Sequence, residues 1–195
     1  EKVFDLQECV VVPSSEDNQD VYRSMAKVLA PLLERILKDG DMLGVGWGET
    51  LKNVTNYIEA SHKLNIKVIP LLGGLGKVGI EVHTNSVAKN LAEKYGAVSY
   101  TIHSPAVFDS AAAKKIIEKD SNVSEIFKMF NKVDAALIGM SDIGANSTMI
   151  KTGNFKTGDF NYLKNLGVVG DVNLIFIDEN GKPVQNDLDD RIIKI

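Results

Sequence analysis

Short apolar runs alternate with amphipathic stretches along most of the chain. Glu8-Cys9-Val10-Val11-Val12-Pro13 reads as a buried strand stopped by proline, with Cys9 as a small buried hydrophobe. From Asp20 to about Lys38, Val21, Met25, Val28, Leu29, Leu32, Leu33 and Ile36 recur at helical spacing, and Pro31 inside that run predicts a kink or break. Met42-Leu43-Gly44-Val45-Gly46 is a strand entering a glycine loop, followed by a helix over roughly Glu49 to Ser61. A second such strand, Ile66 to Leu72, runs into Gly73-Gly74-Leu75-Gly76. A helix from about Asn85 to Tyr95 ends at Gly96, and Val98 to Ile102 is a strand closing at Ser104-Pro105. Two helical segments near Ser110–Lys119 and Val123–Asn131 precede a strand over Asp134–Gly139.

The last third is looser. Gly144 through Gly158 is rich in Gly, Asn, Thr and Ser and is expected to wrap over a site, with a short helix near Phe160–Leu166 behind it. Val168-Val169-Gly170-Asp171 and Asn173–Asp178 follow, Asn180-Gly181 reverses the chain, and Ile192–Ile195 is a final strand. Strands alternating with helices predict one α/β domain with a mostly parallel sheet, helices on both faces and a small antiparallel addition near the C-terminus.

Composition narrows the functional classes. The 195 residues carry 26 acidic and 22 basic side chains, a formal charge of −4, with 44% apolar and 25% charged residues. That is the composition of a folded domain, and no apolar run reaches the ~18–20 residues that cross a bilayer. The only arginines are Arg23, Arg35 and Arg191, without the basic cluster that phosphate neutralisation on DNA demands. The N-terminus has no signal-like pattern, and a lone cysteine can build neither an internal disulfide nor a cysteine metal site. A cytoplasmic protein without metal or cofactor is the expectation.

Three strands end in glycine, and in an open α/β sheet ligands gather beyond such carboxyl ends. Gly44-Val45-Gly46-Trp47-Gly48-Glu49-Thr50 is the most informative loop. Glycines allow close approach to an anion, the next helix offers free N–H groups, and Thr50 adds a hydroxyl. A dinucleotide fingerprint would need glycine where Glu49 stands, and a P-loop would need lysine before the threonine. A phosphate monoester, as on a sugar phosphate, fits better than a nucleotide; a plain tight turn is the competing reading. Trp47 is expected mainly as a plug between loop and helix, with stacking on a sugar face as the alternative.

Other candidates surround it. Gly73 and Gly74 offer backbone donors, with Lys77 as a nearby cation or merely a solvated lysine. Glu81, His83 and Asn85 alternate before a helix; His83 could donate to a sugar hydroxyl, and Asn85 could equally be a helix cap. Asp142, helped by Ser141, is placed to accept from sugar hydroxyls or simply to shape a turn. Lys151 could close over a negative ligand or stay solvated, and Arg191 could pair with Asp171, Asp189 or Asp190 or grip a phosphate. His62 and His103 show no ligand-like spacing, which argues against a catalytic metal.

Taken in order, these motifs resemble the sugar-binding (effector) domain of the SorC family of bacterial transcriptional regulators, a family that includes deoxyribonucleoside regulators and the central glycolytic genes regulator. The resemblance rests on Gly44–Leu51, Val68–Gly76, His83-Thr84-Asn85, Ser104-Pro105-Ala106, Ala136–Gly139, Gly167–Asp171, Phe176–Gly181 and Arg191–Ile195, nearly the whole chain. It implies a three-layer Rossmann-like sheet similar to ribose-5-phosphate isomerase and glucosamine-6-phosphate deaminase. It also implies a phosphorylated sugar as effector and a homodimer or homotetramer that meets DNA only through a helix-turn-helix domain preceding residues 1–195. No helix-turn-helix pattern is visible here, so a fragment is expected. Matched to the family's motifs, Gly46, Trp47, Gly48, Glu49 and Thr50 would hold phosphate and Gly73 and Gly74 would line the other side; His83 and Asn85 match the segment after that second loop, and Asp142 falls just after the family's Gly-x-Gly, where Ser141 replaces the second glycine. Leu72 stands where some members carry an arginine, which disfavours a bisphosphate. A sugar-phosphate isomerase or deaminase on the same sheet is the competing class, and no tight acid/base constellation supports it.

Overall fold

A computed structural model describes residues 6–74, 83–144 and 147–193. Seven helices and seven strands follow one another among these residues, with a 3-10 turn at Asp189–Arg191. The parallel sheet has the order β3-β2-β1-β4, built from β1 (Met42–Val45), β2 (Lys67–Pro70), β3 (Val98–Ser99) and β4 (Ala135–Leu137). All four residues of β1 are buried, as the central strand of a sheet covered on both faces requires. Register is tight: Leu43 lies between Val68 and Ala135, and Val45 between Pro70 and Leu137. A smaller antiparallel sheet, β5 (Met140–Asp142), β6 (Gly170–Val172) and β7 (Ile175–Ile177), follows directly from β4. The α/β class and the antiparallel addition therefore stand as the sequence pattern predicts.

Two apolar clusters hold this frame. The first packs α1 (Asn18–Ile36), α2 (Glu49–Tyr57) and α3 (Thr84–Tyr95) on the parallel sheet through Ala26, Leu33, Val54, Ile58, Val87 and Leu91. The second gathers beyond the strand ends, where Trp47 and Leu72 meet Met149 of α6 (Thr148–Lys151), Phe160 and Leu163 of α7 (Thr157–Asn165), and Leu174 and Phe176. Phe155 joins Phe160 and Phe176 in two edge-to-face contacts, each with centroids 6.3 Å apart, a favoured aromatic geometry. Helices α4 (Ala111–Glu118) and α5 (Ser121–Phe130) lie more openly, and Val123 is their one buried side chain.

Several local expectations change. Residues 8–13 form no strand, because among the described residues they meet no sheet edge; Cys9, Val10 and Val11 are exposed, and an ion pair from Glu8 to Arg35 ties the segment to α1. Cys9 is thus not a core residue. Pro31 does not break α1, which runs unbroken for 19 residues with the Pro31 ring on its exposed side. Its start lies earlier than periodicity suggests, because the Asp17 carboxylate caps the Gln19 amide at 2.8 Å. The strand after Gly96 shrinks to Val98–Ser99, and the stretch expected as one strand over Asn173–Asp178 opens with a turn. Asn173 and Leu174, at φ 52° and 63°, form that two-residue turn between β6 and β7. Leucine there costs roughly 1 kcal/mol of backbone strain, offset by complete burial of its side chain. Ile192 makes only an isolated bridge to Val107, and Lys194 and Ile195 lie outside the described residues. Gly96, at φ 64°, ends α3 as expected.

Tyr95 gives the first cluster a measurable signature. The residue is fully buried and its hydroxyl lies 3.4 Å from the Ala30 carbonyl oxygen. Burial first, and the Glu34 carboxylate second, push its pKa up to about 12. The unfolded chain loses this proton near pH 10. The contribution of Tyr95 to folding stability is therefore constant below that pH and falls as pH rises from about 10 through 12. Tyrosinate absorbance followed with circular dichroism should show Tyr95 ionising together with loss of helix; ionisation near pH 10 in the intact fold would contradict the packing.

Candidate functional site

The site grows from the turn between β1 and α2. β1 ends at Val45, and the Gly46 amide still donates to the Leu137 carbonyl oxygen at 2.8 Å, extending the sheet by one bond. Gly46 is glycine for packing: a β-carbon there would stand 3.2 Å from Asn173 Oδ1 and 3.5 Å from the Ile138 backbone. Gly48, at φ 118°, adopts a conformation that side chains resist and turns the chain into α2. As the cap residue it has no side chain to offer, and among the described residues no side chain accepts from the first-turn amides of Glu49, Thr50 and Leu51. Glu49 and Thr50 are exposed, whereas Leu51 anchors the turn in the core.

A cleft of about 170 Å³ opens over these amides. Its near wall is Trp47, Gly48, Glu49, Thr50 and Leu51; its far wall is Gly139, Met140 and Ser141, with Asp171 at the base. Tyr22 of α1 and Thr148 of α6 complete it. Asp171 is buried, with 3% of its surface exposed. One of its oxygens accepts from the Ser141 hydroxyl at 2.5 Å, the other from the Leu174 amide at 2.9 Å. This carboxylate thus ties β5 to β6, and it braces the strained β6–β7 turn. Trp47 is 9% exposed and packs in the second cluster, so it is a plug, with its remaining edge on the cleft.

Five sequence candidates therefore share one cleft: Trp47, Gly48, Glu49, Thr50 and Ser141. The others lie elsewhere. Gly73 packs against the crossing Ser104-Pro105 backbone, where a β-carbon would meet the Pro105 carbonyl at 2.5 Å. The Gly74 amide is spent on the Ser104 carbonyl oxygen at 2.8 Å. His83 occupies the cap position of α3, and its carbonyl oxygen accepts from Ser86 and Val87. Asn85 is neither cap nor cleft residue: its amide clamps Ile102 by two 3.0 Å hydrogen bonds, donating to the carbonyl and accepting from the N–H. Asp142 curls over Gly144, whose β-carbon would sit 2.9 Å from its carboxylate. Lys151 is exposed and outside the cleft wall. Arg191 pairs with Asp159 at 3.3 Å, a partner absent from the three that sequence proximity suggests. Lys77 and Glu81 lie outside the described residues.

Tyr22, Thr148 and Asp171 are the cleft residues that sequence reasoning places elsewhere or passes over. Asp171 had a signal: an acidic residue directly after an apolar Val-Val-Gly run, where a strand brings it inward. Tyr22 looks like any aromatic on an amphipathic helix, and only tertiary packing brings it to the β1–α2 turn. Among the described residues no group of three His, Cys, Asp or Glu side chains converges on a metal position. No helix among them is long and apolar enough to cross a membrane.

Replacing Asp171 with alanine removes the carboxylate that accepts from the Ser141 hydroxyl and the Leu174 amide. We expect a loss of about 1–3 kcal/mol in urea unfolding, the cost of removing the acceptor of one buried donor, because Leu174 is fully buried whereas Ser141 is exposed and its hydroxyl can turn to water. Asp171→Asn should lose less, because its one carbonyl oxygen keeps one of the two bonds. Equal stability of the alanine variant and the parent would contradict the bracing role.

Comparison with known proteins gives the chain its family. The deoxyribonucleoside regulator of Bacillus subtilis is 25% identical over 195 residues, covering 100% of this chain and 62% of that protein. The sorbitol operon regulator of Klebsiella pneumoniae is 25% identical over 197 residues, covering 98% of this chain and 62% of that protein. The chain thus spans about three-fifths of the curated relatives it matches. The crystal structure of the full-length sorbitol operon regulator SorC from Klebsiella pneumoniae has the same fold, with a TM-score of 0.90 at 23% identity, covering 100% of this chain and 63% of that one. A DeoR family transcriptional regulator from Listeria monocytogenes superposes with a TM-score of 0.86 at 27% identity, covering 100% of this chain and 76% of that one. All of residues 1–195 match the family described as "Putative sugar-binding domain", and the chain belongs to that family, whose members here are SorC-type and sugar-operon transcriptional regulators.

Proposed function

We propose that residues 1–195 are the effector-sensing domain of a bacterial transcriptional regulator, and that the cleft at the β1–α2 turn binds a phosphorylated sugar. The carrying observation is one cleft that joins two chemistries: the first-turn amides of α2, which no side chain caps, and the polar Ser141–Asp171 pair. Free N–H groups and the positive end of the helix dipole suit an anion, and the Thr50 hydroxyl adds a donor. Ser141, Thr148 and Asp171 suit sugar hydroxyls. No lysine or arginine lines the cleft among the described residues, so a single phosphate is favoured over a bisphosphate. Lys151 lies three residues after Thr148 on α6, and we assign it to close over the phosphate from outside.

In the full-length protein, the bound sugar modulates DNA binding by a helix-turn-helix domain outside these residues, and the protein works in the cytoplasm as a homodimer or homotetramer. The family resemblance supports both statements. An isomerase or deaminase reading has less support. Such chemistry needs a base held beside the reacting carbon; both Asp171 oxygens already accept hydrogen bonds, Glu49 on the cleft wall is exposed, and among the described residues no histidine or lysine lines the cleft. The named relatives are regulators, in line with a domain that binds without turnover.

A thermal-shift screen of sugar phosphates against their unphosphorylated sugars and polyols tests the reading. A cognate ligand at a hundredfold excess over Kd should add about 2.7 kcal/mol of stability. Thr50→Ala should weaken that ligand about tenfold, roughly 1.4 kcal/mol, without altering unfolding of the free protein. Stabilisation by polyols alone, or unchanged affinity of the alanine variant in calorimetry, would move the phosphate away from this turn.

A further inference from the structure

Tyr22 is the one cleft residue supplied by α1 among the described residues, and its packing on the first apolar cluster leaves it also facing the cleft. It lies five residues past the Asp17 cap, half-buried, with one part of the ring on the first apolar cluster and another part on the cleft wall. Among the described residues its hydroxyl has no hydrogen-bond partner, whereas Tyr57 donates to Gln19 and the Tyr162 hydroxyl accepts from the Asp187 amide. Tyr22 and Trp47 are the two aromatic side chains lining the cleft, and of these Trp47 is the buried plug. The cleft therefore carries three kinds of surface: amides for an anion, hydroxyl and carboxylate groups for polar edges, and one half-exposed aromatic ring.

That combination describes a sugar more closely than a bare anion. A pyranose or an extended polyol has apolar C–H faces between its hydroxyls, and an aromatic ring with a polar tip matches such a surface. We propose that Tyr22 is a ligand-contacting specificity residue: its ring packs on the carbon skeleton of the bound sugar phosphate, and its hydroxyl meets a sugar oxygen. This rests on the reading of the cleft as a sugar-phosphate site. It also gives the site a route outward. Tyr22 belongs to the helix that follows the exposed segment 6–16, and Glu8 of that segment pairs with Arg35 at the far end of the same helix. A ligand held by α2 on one side and Tyr22 on the other touches both helices that the first apolar cluster already packs together.

Isothermal titration of the parent chain, Tyr22→Leu and Tyr22→Phe with ribose 5-phosphate, glucose 6-phosphate, sorbitol 6-phosphate and inorganic phosphate tests this. Leucine keeps the apolar contact with the core and removes the ring, and thermal unfolding of each variant verifies that the fold is intact. We expect Tyr22→Leu to weaken the best-binding sugar phosphate at least tenfold while inorganic phosphate binds as before. Tyr22→Phe should fall within about threefold of the parent. Sugar-phosphate binding unchanged in Tyr22→Leu overturns the role of Tyr22 and leaves the cleft assignment standing. An equal loss for sugar phosphate and inorganic phosphate also overturns it, by marking Tyr22 as a structural support. Absence of binding by the parent chain to every sugar phosphate overturns the cleft assignment and this inference with it.

Discussion

The turn at Gly48 is the constraint on which the site depends. A strand that must stay flat against two neighbours ends at Val45, and three residues later the chain must start a helix that packs on the same sheet. Only a residue tolerating φ 118° makes that turn, and the residue that does so has no side chain to cap the helix it begins. The backbone solution to the fold therefore leaves uncapped first-turn amides in residues that line a cleft. Burial of Leu51 and Val54 keeps α2 in place, so these amides are held by the core and need no ligand to position them.

The second half of the cleft depends on a different bond. Asp171 is buried on the central strand of the small antiparallel sheet, where a carboxylate lacking donors would be costly. Its two acceptor bonds, to Ser141 and to the Leu174 amide, join β5 to β6 and hold a turn with two residues at positive φ. The same contacts that stabilise this sheet place a polar floor opposite the α2 amides. Site and scaffold are coupled here, which is why a change at Asp171 should register in stability as well as in binding.

Much of the frame was legible because the signals were local. Strand β1, its glycine turn and α2 follow from an apolar run, a Gly-x-Gly and helical spacing, and Gly96 ends α3 by its positive φ. What the sequence left open depends on partners distant along the chain. Val10–Val12 has the composition of a strand, but pairing needs an edge, and none meets it among the described residues. Gly73 looks like an anion-binding glycine, yet the backbone of Ser104-Pro105 crosses it too closely for a side chain. Asn85 resembles a helix cap and instead clamps Ile102. In the site, Glu49 and Thr50 could be read from the turn, whereas Tyr22, Thr148 and the Ser141–Asp171 pair converge only when α1, α6 and the second sheet are packed.

The most direct measurement is amide nitrogen chemical shifts of the folded domain during titration with the sugar phosphate that stabilises it most, compared with its unphosphorylated sugar. An anion seated on α2 predicts large, saturable shifts at Glu49, Thr50 and Leu51 with the phosphorylated compound and small ones there without the phosphate. Shifts near Ser141 and Asp171 should appear with both. Unmoved amides at the start of α2, with the largest changes in another part of the domain, would contradict the account.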